Sequence, residues 1–130
     1  MIDKYNKIFG RAGEEAAAEY LKKKKYKILE RNYKCSYGEI DIIARFKKDI
    51  VFIEVKTRKS NKYGKPCEAV NYYKQKRMIA AAKTYLYTND LYDKNVHFDV
   101  VEVYGAMTET GFELDEIIHI ENAVEQVNQF

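Results

Sequence analysis

The chain has few of the features that divide or anchor a protein. It has 130 residues with no Trp, one proline and two cysteines. No stretch approaches the ~18 uninterrupted apolar residues of a membrane span, and no repeat or Pro/Ser-rich linker interrupts it. With 46% hydrophobic and 33% charged residues the chain is typical of a globular protein, not a disordered one. We therefore expect a single domain over residues 1–130, with an acidic C-terminal segment from about residue 105.

The cysteines and histidines are too sparse to suggest a zinc site. Cys35 and Cys67 are far apart and neither belongs to a CxxC motif. His97 and His119 are also isolated, and structural roles are expected for both. Two free thiols, and an N-terminus without the apolar core of a secretory signal, predict a cytoplasmic protein.

The net charge of +3 conceals an asymmetry along the chain. Residues 1–89 carry a net charge of +12, whereas residues 90–130 carry −9. A basic body of this kind is typical of proteins that bind a polyanion such as DNA. The alternative is a solvated lysine-rich surface balanced by the acidic segment, which would then mask the body or cover an edge of the sheet.

Hydrophobic periodicity predicts an α/β fold. One helix is expected over residues 7–25, with Ile8, Ala12, Ala16, Tyr20 and Leu21 on its apolar side. A second helix begins at Pro66 and ends near Tyr87, with an apolar side made by Val70, Tyr73, Met78, Ala81, Ala82, Tyr85 and Leu86. Strands are expected over 26–33, 39–46, 50–57, 95–104 and 112–120, and a short helix over 121–129. The αβββαβ order predicts a mixed sheet flanked by helices. Gly10 and Gly13, unusual in a helix, would permit close approach of another element or a ligand.

Charged residues occupy the predicted hairpin of residues 39–57. Asp41 lies in its first strand, and Glu54 and Lys56 lie in its second. Side chains alternate between the two faces of a strand. Glu39 and Asp41 therefore share one face of the first strand, and Glu54, Lys56 and Arg58 share one face of the second. The expected core side chains are those of Ile40, Ile42, Ile53 and Val55. Of the polar residues, Glu39 is expected to be exposed.

The register of this hairpin decides whether the carboxylates meet. Paired residues in an antiparallel ladder have a constant sum of residue numbers. Asp41 faces Glu54 or Lys56 only if that sum is odd, which requires a two-residue turn or a bulge. An even sum would place Asp41 opposite Val55.

Two carboxylates brought together repel each other unless a cation lies between them. At 4 Å the repulsion is roughly 1–4 kcal/mol for effective dielectric constants between those of water and a protein surface. Mg²⁺ or Mn²⁺ prefers such oxygen ligands and can activate water against a phosphate. The hairpin therefore predicts a metal-dependent site for phosphodiester hydrolysis.

The pattern of Asp41 followed by Glu54, Val55 and Lys56 resembles the PD-(D/E)xK nuclease signature. The segments GRAGEEAAAEYL, GEIDIIA, FIEVKTR and FDVVEV resemble the YraN-like family of uncharacterised bacterial proteins, from about Gly10 to Tyr104. Members of that family are predicted endonucleases, distantly similar to archaeal Holliday junction resolvases. The resemblance implies a restriction-endonuclease-like fold. Ile40 stands where the signature usually has proline.

The resemblance also implies roles for individual residues. It makes Asp41 and Glu54 metal ligands, with the carbonyl of Val55 as a third, and Lys56 the catalytic lysine. A glutamate on the first helix completes the site in resolvase-like members. Glu14 matches that position, and Glu15 is the second choice. Resolvases act as dimers, so a homodimer is compatible with the resemblance.

Basic and aromatic residues near the hairpin are candidates for contacts with nucleic acid. We expect Arg31, Arg58, Lys74 and Arg77 to contact phosphates. For the two residues of the second helix a solvated surface is the alternative. Tyr33, Tyr37 and Tyr63 lie in or beside loops, where a tyrosine can stack on bases.

The expected function is Mg²⁺- or Mn²⁺-dependent hydrolysis of DNA, with branched or structured DNA as a candidate substrate. One alternative is a nucleic-acid-binding module that uses a nuclease-like scaffold without catalysis. Another is a protein-interaction role centred on the acidic segment.

Overall fold

A computed structural model describes residues 2–60 and 72–123 of the chain. The elements are α1 (Ile2–Lys23), β1 (Lys27–Cys35), β2 (Gly38–Phe46), β3 (Asp49–Lys59), α2 (Tyr72–Thr88), β4 (Val96–Thr108) and β5 (Gly111–Ile120). This order confirms the predicted αβββαβ arrangement and the strand after it. Predictions for Tyr63, Pro66, Cys67 and Val70, and for residues 124–129 of the terminal helix, lie outside the described residues. Neither helix in the described part of the chain is long and apolar enough to cross a bilayer.

The five strands form one mixed sheet in the order β1-β2-β3-β4-β5. Neighbouring strands are antiparallel except β3 and β4, which are parallel. A parallel pair needs a crossover connection, and the segment that contains α2 provides it. The three strands that precede α2 are antiparallel neighbours and can be joined by short turns. The two strands that the crossover connects, β3 and β4, lie in the interior of the sheet.

Each face of the sheet is covered by one helix. On one face Ala17, Ala18 and Leu21 of α1 pack against a cluster that includes Ile42, Ile53 and Val101. On the other face Met78, Ala81, Ala82, Tyr85 and Leu86 of α2 pack against Ile43, Phe52 and Phe98. Because both faces are buried, the central strands are apolar almost throughout, which explains the continuous hydrophobic runs in the sequence.

Both helices end in the same hydrogen-bonded motif without a glycine. At the end of α1, Tyr26 N–H donates to the Leu21 carbonyl (2.9 Å) and Lys25 N–H to the Lys22 carbonyl (3.0 Å). This is the Schellman pattern, and Lys25 has the positive φ (73°) that the pattern requires. Asp90 occupies the equivalent position after α2, with a positive φ of 55°. Tyr26 is buried together with Leu21, which adds the apolar contact typical of the motif.

The predicted apolar side of each helix was partly wrong. Ile8 is 44% exposed, and the buried side of α1 instead carries Phe9 and Ala17. Tyr73 is 77% exposed at the start of α2. Ile8 lies one residue before Phe9, which begins the buried row that continues with Ala17, and so it falls on the exposed side of α1. Tyr73 lies four residues before the exposed Arg77, on the same exposed side of α2.

The β2–β3 hairpin has the odd register that the site requires. Ile42 pairs with Ile53 and Phe46 with Asp49, so paired residue numbers sum to 95. The turn consists of two residues, Lys47 and Lys48, and Lys47 has a positive φ of 56°. The register therefore directs Asp41 toward Glu54 rather than toward Val55.

Ile40 corrects the predicted division of the hairpin into two faces. Ile42, Ile53 and Val55 lie on the α1 side as expected, but Ile40 packs with Ile43 on the α2 side. The pairing of β2 with β3 ends at Ile42, whereas β2 remains paired with β1 beyond that point. The alternation of faces is therefore interrupted at the position of Asp41, where the two strands separate.

Candidate functional site: a carboxylate-lined cavity between β2 and β3

A cavity of about 350 Å³ opens where β2 and β3 separate. Four elements contribute to its wall. The lining side chains of the two strands are Asp41, Glu54, Val55 and Thr57, those of α1 are Asn6, Phe9 and Glu14, together with Gly10, and α2 contributes Lys74. The structure thus brings together Glu14, Asp41, Glu54 and Val55, the four residues for which the resemblance implied metal ligation.

Asp41 bridges the gap between the strands through its side chain. Its Oδ2 accepts a hydrogen bond of 2.8 Å from the Val55 backbone N–H, beyond the last residue pair of the ladder. Burial and the nearby Glu54 carboxylate raise the pKa of Asp41 to about 7, although the Val55 hydrogen bond opposes the shift. The raised pKa of Asp41 thus reflects poor solvation first and the neighbouring negative charge second.

Glu54 is the most deeply buried carboxylate of the cavity, with 4% of the residue exposed. Its Oε1 forms an ion pair with Lys74 Nζ from α2. The sequence predicted that Lys74 contacts phosphate from a helix surface, but the structure places it in the wall of the cavity. A buried carboxylate needs a partner charge, and in this structure the Lys74 ammonium is that partner.

Glu14, rather than Glu15, faces the cavity from α1. Burial raises the pKa of Glu14, an effect that Arg31 and a hydrogen bond to Asn32 oppose and that Glu39 and Glu54 reinforce. Glu15 instead is exposed and accepts a 2.9 Å hydrogen bond from Arg31. Of the two candidate helix glutamates, Glu14 is therefore the one that lines the cavity.

Gly13 sets the distance between α1 and β3 beside the cavity. A Cβ atom at this position would lie 1.9 Å from Thr57 Oγ1 and 2.7 Å from Thr57 Cβ. The expectation that a helix glycine permits close approach of another element is thus met at Gly13. A Cβ atom on Gly10, one turn earlier, would meet nothing within 4 Å, and Gly10 borders the cavity itself.

Lys56 and the two predicted phosphate-binding arginines of the strands lie elsewhere. None of the three is among the described residues that line the cavity. Lys56 lies opposite Glu102 in the register of the β3–β4 ladder. Arg58 Nε lies 3.5 Å from Glu102 Oε2. Arg31 is held by Glu15. Arg77 lies on the exposed surface of α2 and lines a neighbouring cavity with Glu39, which is exposed as predicted.

Sequence reasoning missed Glu102, a fully buried acid on β4. It is 0% exposed, and it accepts a 3.3 Å hydrogen bond from the Tyr104 hydroxyl in addition to the Arg58 contact. The signal that singled out Asp41, an acid inside an apolar strand, was present here too in the segment FDVVEV. Glu102 and Arg58 thus form an ion pair between neighbouring strands, outside the lining of the cavity.

The histidines have the structural roles that were expected for them. His119 Nε2 lies 2.7 Å from Asp99 Oδ2, and its Nδ1 lies 3.1 Å from the Tyr20 hydroxyl. His97 lies 2.6 Å from Asp49 and 2.7 Å from Asn122. Neither histidine is among the described residues that line the cavity.

The donor atoms of the cavity suit a hard cation, although not in their present positions. Carboxylates and a backbone carbonyl are the ligands that Mg²⁺ and Mn²⁺ prefer. Among the residues that the structure describes, no three His, Cys, Asp or Glu side chains lie close enough together to hold an ion. A cation bound by Asp41 and Glu54 would therefore take the place of the Lys74 ammonium, and Glu14 would have to move to join them.

The fold and the cavity together define the class of protein: an α/β protein with a restriction-endonuclease-like αβββαβ core and a carboxylate-lined cavity beside its central hairpin. The chain belongs to the uncharacterised protein family UPF0102, whose model matches residues 13–103. This is the YraN family that the sequence motifs indicated.

Relatives from several bacteria match nearly the whole chain. A UPF0102 protein of Caldanaerobacter subterraneus subsp. tengcongensis is 45% identical over 90% of this chain and 94% of its own length. A UPF0102 protein of Clostridium perfringens is 50% identical, covering 88% of this chain and 93% of the relative. One of Geobacter metallireducens is 46% identical, covering 93% and 95%. The similarity therefore extends across the helices and strands that form the cavity.

Proposed function

We propose that this protein is a divalent-cation-dependent nuclease that hydrolyses phosphodiester bonds of DNA in the cavity between β2 and β3. The observation that carries the proposal is the convergence of Glu14, Asp41 and Glu54 on one cavity from three different elements. Fold stability does not require three carboxylates at one place, since their mutual repulsion opposes folding. A site that binds a cation and a phosphate accounts for them.

The cation would be held by Asp41, Glu54 and the Val55 carbonyl, with Glu14 as an additional ligand. The raised pKa of Asp41, caused by burial and by Glu54, supports a cavity in which bound positive charge is favourable. A bound Mg²⁺ or Mn²⁺ would supply Lewis-acid activation of a phosphoryl oxygen and of water. The hydrogen bond from Val55 N–H orients the Asp41 carboxylate for this task.

Two lysines from different elements take part in the proposed reaction, and we assign them different tasks. Lys56 does not line the cavity, but it lies two residues after Glu54 on the same strand face. We assign it the task of offsetting negative charge that develops on a phosphate bound at the edge of the cavity. Lys74 neutralises Glu54 in the absence of substrate, as its ion pair shows. With a cation bound by Glu54, the Lys74 ammonium would instead contact a phosphate oxygen.

One observation favours the rival function of a nucleic-acid-binding module without catalysis. Lys74 already pairs with Glu54, so the buried carboxylate has a counter-charge without any metal ion. In that case the basic residues bind a phosphate backbone and the carboxylates only position Lys74. The two functions differ in whether DNA is cut.

A cleavage screen tests the proposal. Linear, flapped, nicked and four-way DNA substrates are incubated with the protein and Mg²⁺ or Mn²⁺. We expect cleavage of at least one substrate, its loss in Asp41→Asn, and a decrease of roughly 10²–10³-fold in Lys56→Ala, which removes one electrostatic contact to the transition state. The amide that replaces the carboxylate in Asp41→Asn keeps an oxygen that can accept the hydrogen bond from Val55, so the fold should persist.

The matched control is Asp115→Asn, which removes an exposed carboxylate of β5. It should cleave as the parent does. Cleavage by Asp41→Asn at the parental rate would show that the cavity is not the active site.

A further inference from the structure

Two more cavities continue from the candidate site along the start of α2. The first, of about 470 Å³, is lined by Glu39, Tyr73, Lys74, Arg77 and Met78. The second, of about 360 Å³, lies beside the turn between β1 and β2 and includes Lys34, Tyr37 and Gly38. Lys74 lines both the candidate site and the first cavity, and Glu39 and Arg77 line both the first and the second. The three cavities therefore form one continuous surface, and we call the part outside the candidate site the α2 groove.

A glycine brings the two walls of the α2 groove together. A Cβ atom on Gly38 would lie 2.9 Å from the Arg77 carbonyl oxygen and 3.1 Å from Arg77 Cβ. The start of β2 therefore rests on the backbone of α2. This contact places Tyr37 and Lys34 beside the first turns of the helix, where Tyr73 and Arg77 lie.

The side chains of the α2 groove combine positive charge with exposed aromatic rings. Among the described residues that line it, Lys34, Lys74 and Arg77 face one carboxylate, that of Glu39. No ion pair joins Lys34 or Arg77 to a carboxylate within residues 2–60 and 72–123. Tyr37 is 62% exposed and Tyr73 is 77% exposed. Burial does not explain these two tyrosines, because most of each residue is in water.

Cations interleaved with exposed aromatic rings are what a single strand of nucleic acid needs. The cations follow its phosphates, and each ring offers a face on which a base can stack. A base within a continuous duplex has both faces covered by its neighbours, so exposed tyrosines would gain little from a duplex. The occupant that fits the α2 groove is therefore an unpaired strand.

We propose that the α2 groove binds an unpaired DNA strand and directs one of its phosphodiester bonds into the carboxylate-lined cavity. This inference rests on the proposed function and narrows its substrate to DNA with a single-stranded segment, such as a flap or an open end. Tyr37 and Tyr73 stack on bases, and Lys34 and Arg77 contact phosphates. Lys74, at the junction of the groove and the cavity, contacts the phosphate that enters the site.

Binding of a labelled oligothymidylate to the metal-free protein tests the groove without any need for cleavage. The double variant Tyr37→Ala/Tyr73→Ala removes both rings, and Arg77→Ala removes a phosphate contact. Since stacking contributes about 1–3 kcal/mol per base, we expect the double variant to bind at least about tenfold more weakly by fluorescence anisotropy. Arg77→Ala should weaken binding and flatten its salt dependence.

The chain offers close controls for both kinds of substitution. Tyr87 lies on the same helix and is 67% exposed, but it stacks on Tyr92 and lines neither groove cavity. Lys48 is exposed at the opposite end of β2 from Gly38. Tyr87→Ala and Lys48→Ala should bind oligothymidylate as the parent does. Parental affinity in the Tyr37→Ala/Tyr73→Ala variant, or an equal loss in Tyr87→Ala, would overturn the inference.

Cross-linking gives a second measurement that does not depend on affinity. Oligothymidylate carrying 5-iodouracil is irradiated on the parent protein, and the modified tyrosines are identified by mass spectrometry. Attachment to Tyr37 or Tyr73 supports the groove. Attachment only to Tyr87 or Tyr92 would overturn it.

The variant Asp41→Asn separates the failure of this inference from the failure of the proposed function. If Asp41→Asn cuts DNA at the parental rate while the groove variants lose binding, the nuclease site is wrong and the groove stands. If cleavage requires Asp41 but the groove variants bind and cut single-stranded segments normally, the groove is wrong and the nuclease site stands.

Discussion

Two glycines three residues apart on α1 meet opposite surroundings. Gly13 lies against Thr57 so closely that a Cβ atom would overlap its side chain, whereas a Cβ atom on Gly10 would meet nothing within 4 Å. Gly13 is therefore required by packing. At Gly10 the helix only loses the conformational restriction that an alanine would provide.

These surroundings predict stability changes of opposite sign. Gly13→Ala should lower the free energy of unfolding by about 1–3 kcal/mol, because overpacking forces α1 away from β3. Gly10→Ala should raise it by up to about 1 kcal/mol, the difference in helix propensity. Urea denaturation followed by circular dichroism measures both. Destabilisation of similar size in the two variants would show that helix geometry, and not the contact with Thr57, decides the outcome.

At the same scale, the sequence predicted the acids of the site better than its cations. Asp41 and Glu54 were recognisable because a carboxylate inside an apolar strand is costly without a partner. Lys74 was assigned to a helix surface, because a basic helix side looks the same whether it faces water or a neighbouring carboxylate. Only the packing of α2 over the sheet shows that its ammonium reaches Glu54.

Among the elements, the order of helices and strands along the chain followed from the sequence, but the hairpin register and the helix boundaries did not. The strands expected over 39–46 and 50–57 left the register open, and the two-residue turn of Lys47 and Lys48 makes the sum of paired residue numbers odd. The end of α1 was placed at Lys25 instead of Lys23, because a Schellman motif usually has glycine at the position of Lys25. Tyr73 and Ile8 show the same difficulty, since a shift of one residue moves a side chain by about 100° around a helix and off its buried side.

His97 joins three elements through one imidazole ring. It lies on β4, and its ring contacts Asp49 at the start of β3 and Asn122 after β5. Burial lowers its pKa, but the hydrogen bonds to Asn122 and Asp49 and the charges of Asp49 and Asp99 outweigh that effect, so the pKa is raised. A doubly protonated ring donates to both acceptors, which is the form that the raised pKa favours.

This contact predicts a pH-dependent contribution to stability. Because the pKa of His97 is higher in the folded protein, the contribution is complete below the unfolded value of about 6.5 and is lost as the pH rises through the folded value. His97→Gln should therefore lower the free energy of unfolding by about 1 kcal/mol more at pH 6 than at pH 9. Denaturation of parent and variant at both pH values measures this difference, in which groups common to the two proteins cancel. A larger loss at pH 9 would contradict the assignment.

For the whole molecule, the asymmetry of charge separates two regions of the surface. The exposed acids Glu113, Asp115 and Glu116 lie on β5, which is an edge strand of the sheet. Charged side chains on an edge strand prevent pairing with other chains. This is the simpler of the roles considered for the acidic segment. The carboxylate-lined cavity and the α2 groove lie instead between the helices and the β1–β3 half of the sheet.

The proposed nuclease activity depends on the binding of a divalent cation, which can be measured without knowledge of the substrate. The most direct test is calorimetric titration of the protein with Mn²⁺, beside Asp41→Asn and the control Asp115→Asn. We expect one Mn²⁺ site in the parent and in Asp115→Asn, and its loss in Asp41→Asn. Equal Mn²⁺ binding by the parent and Asp41→Asn would contradict this expectation.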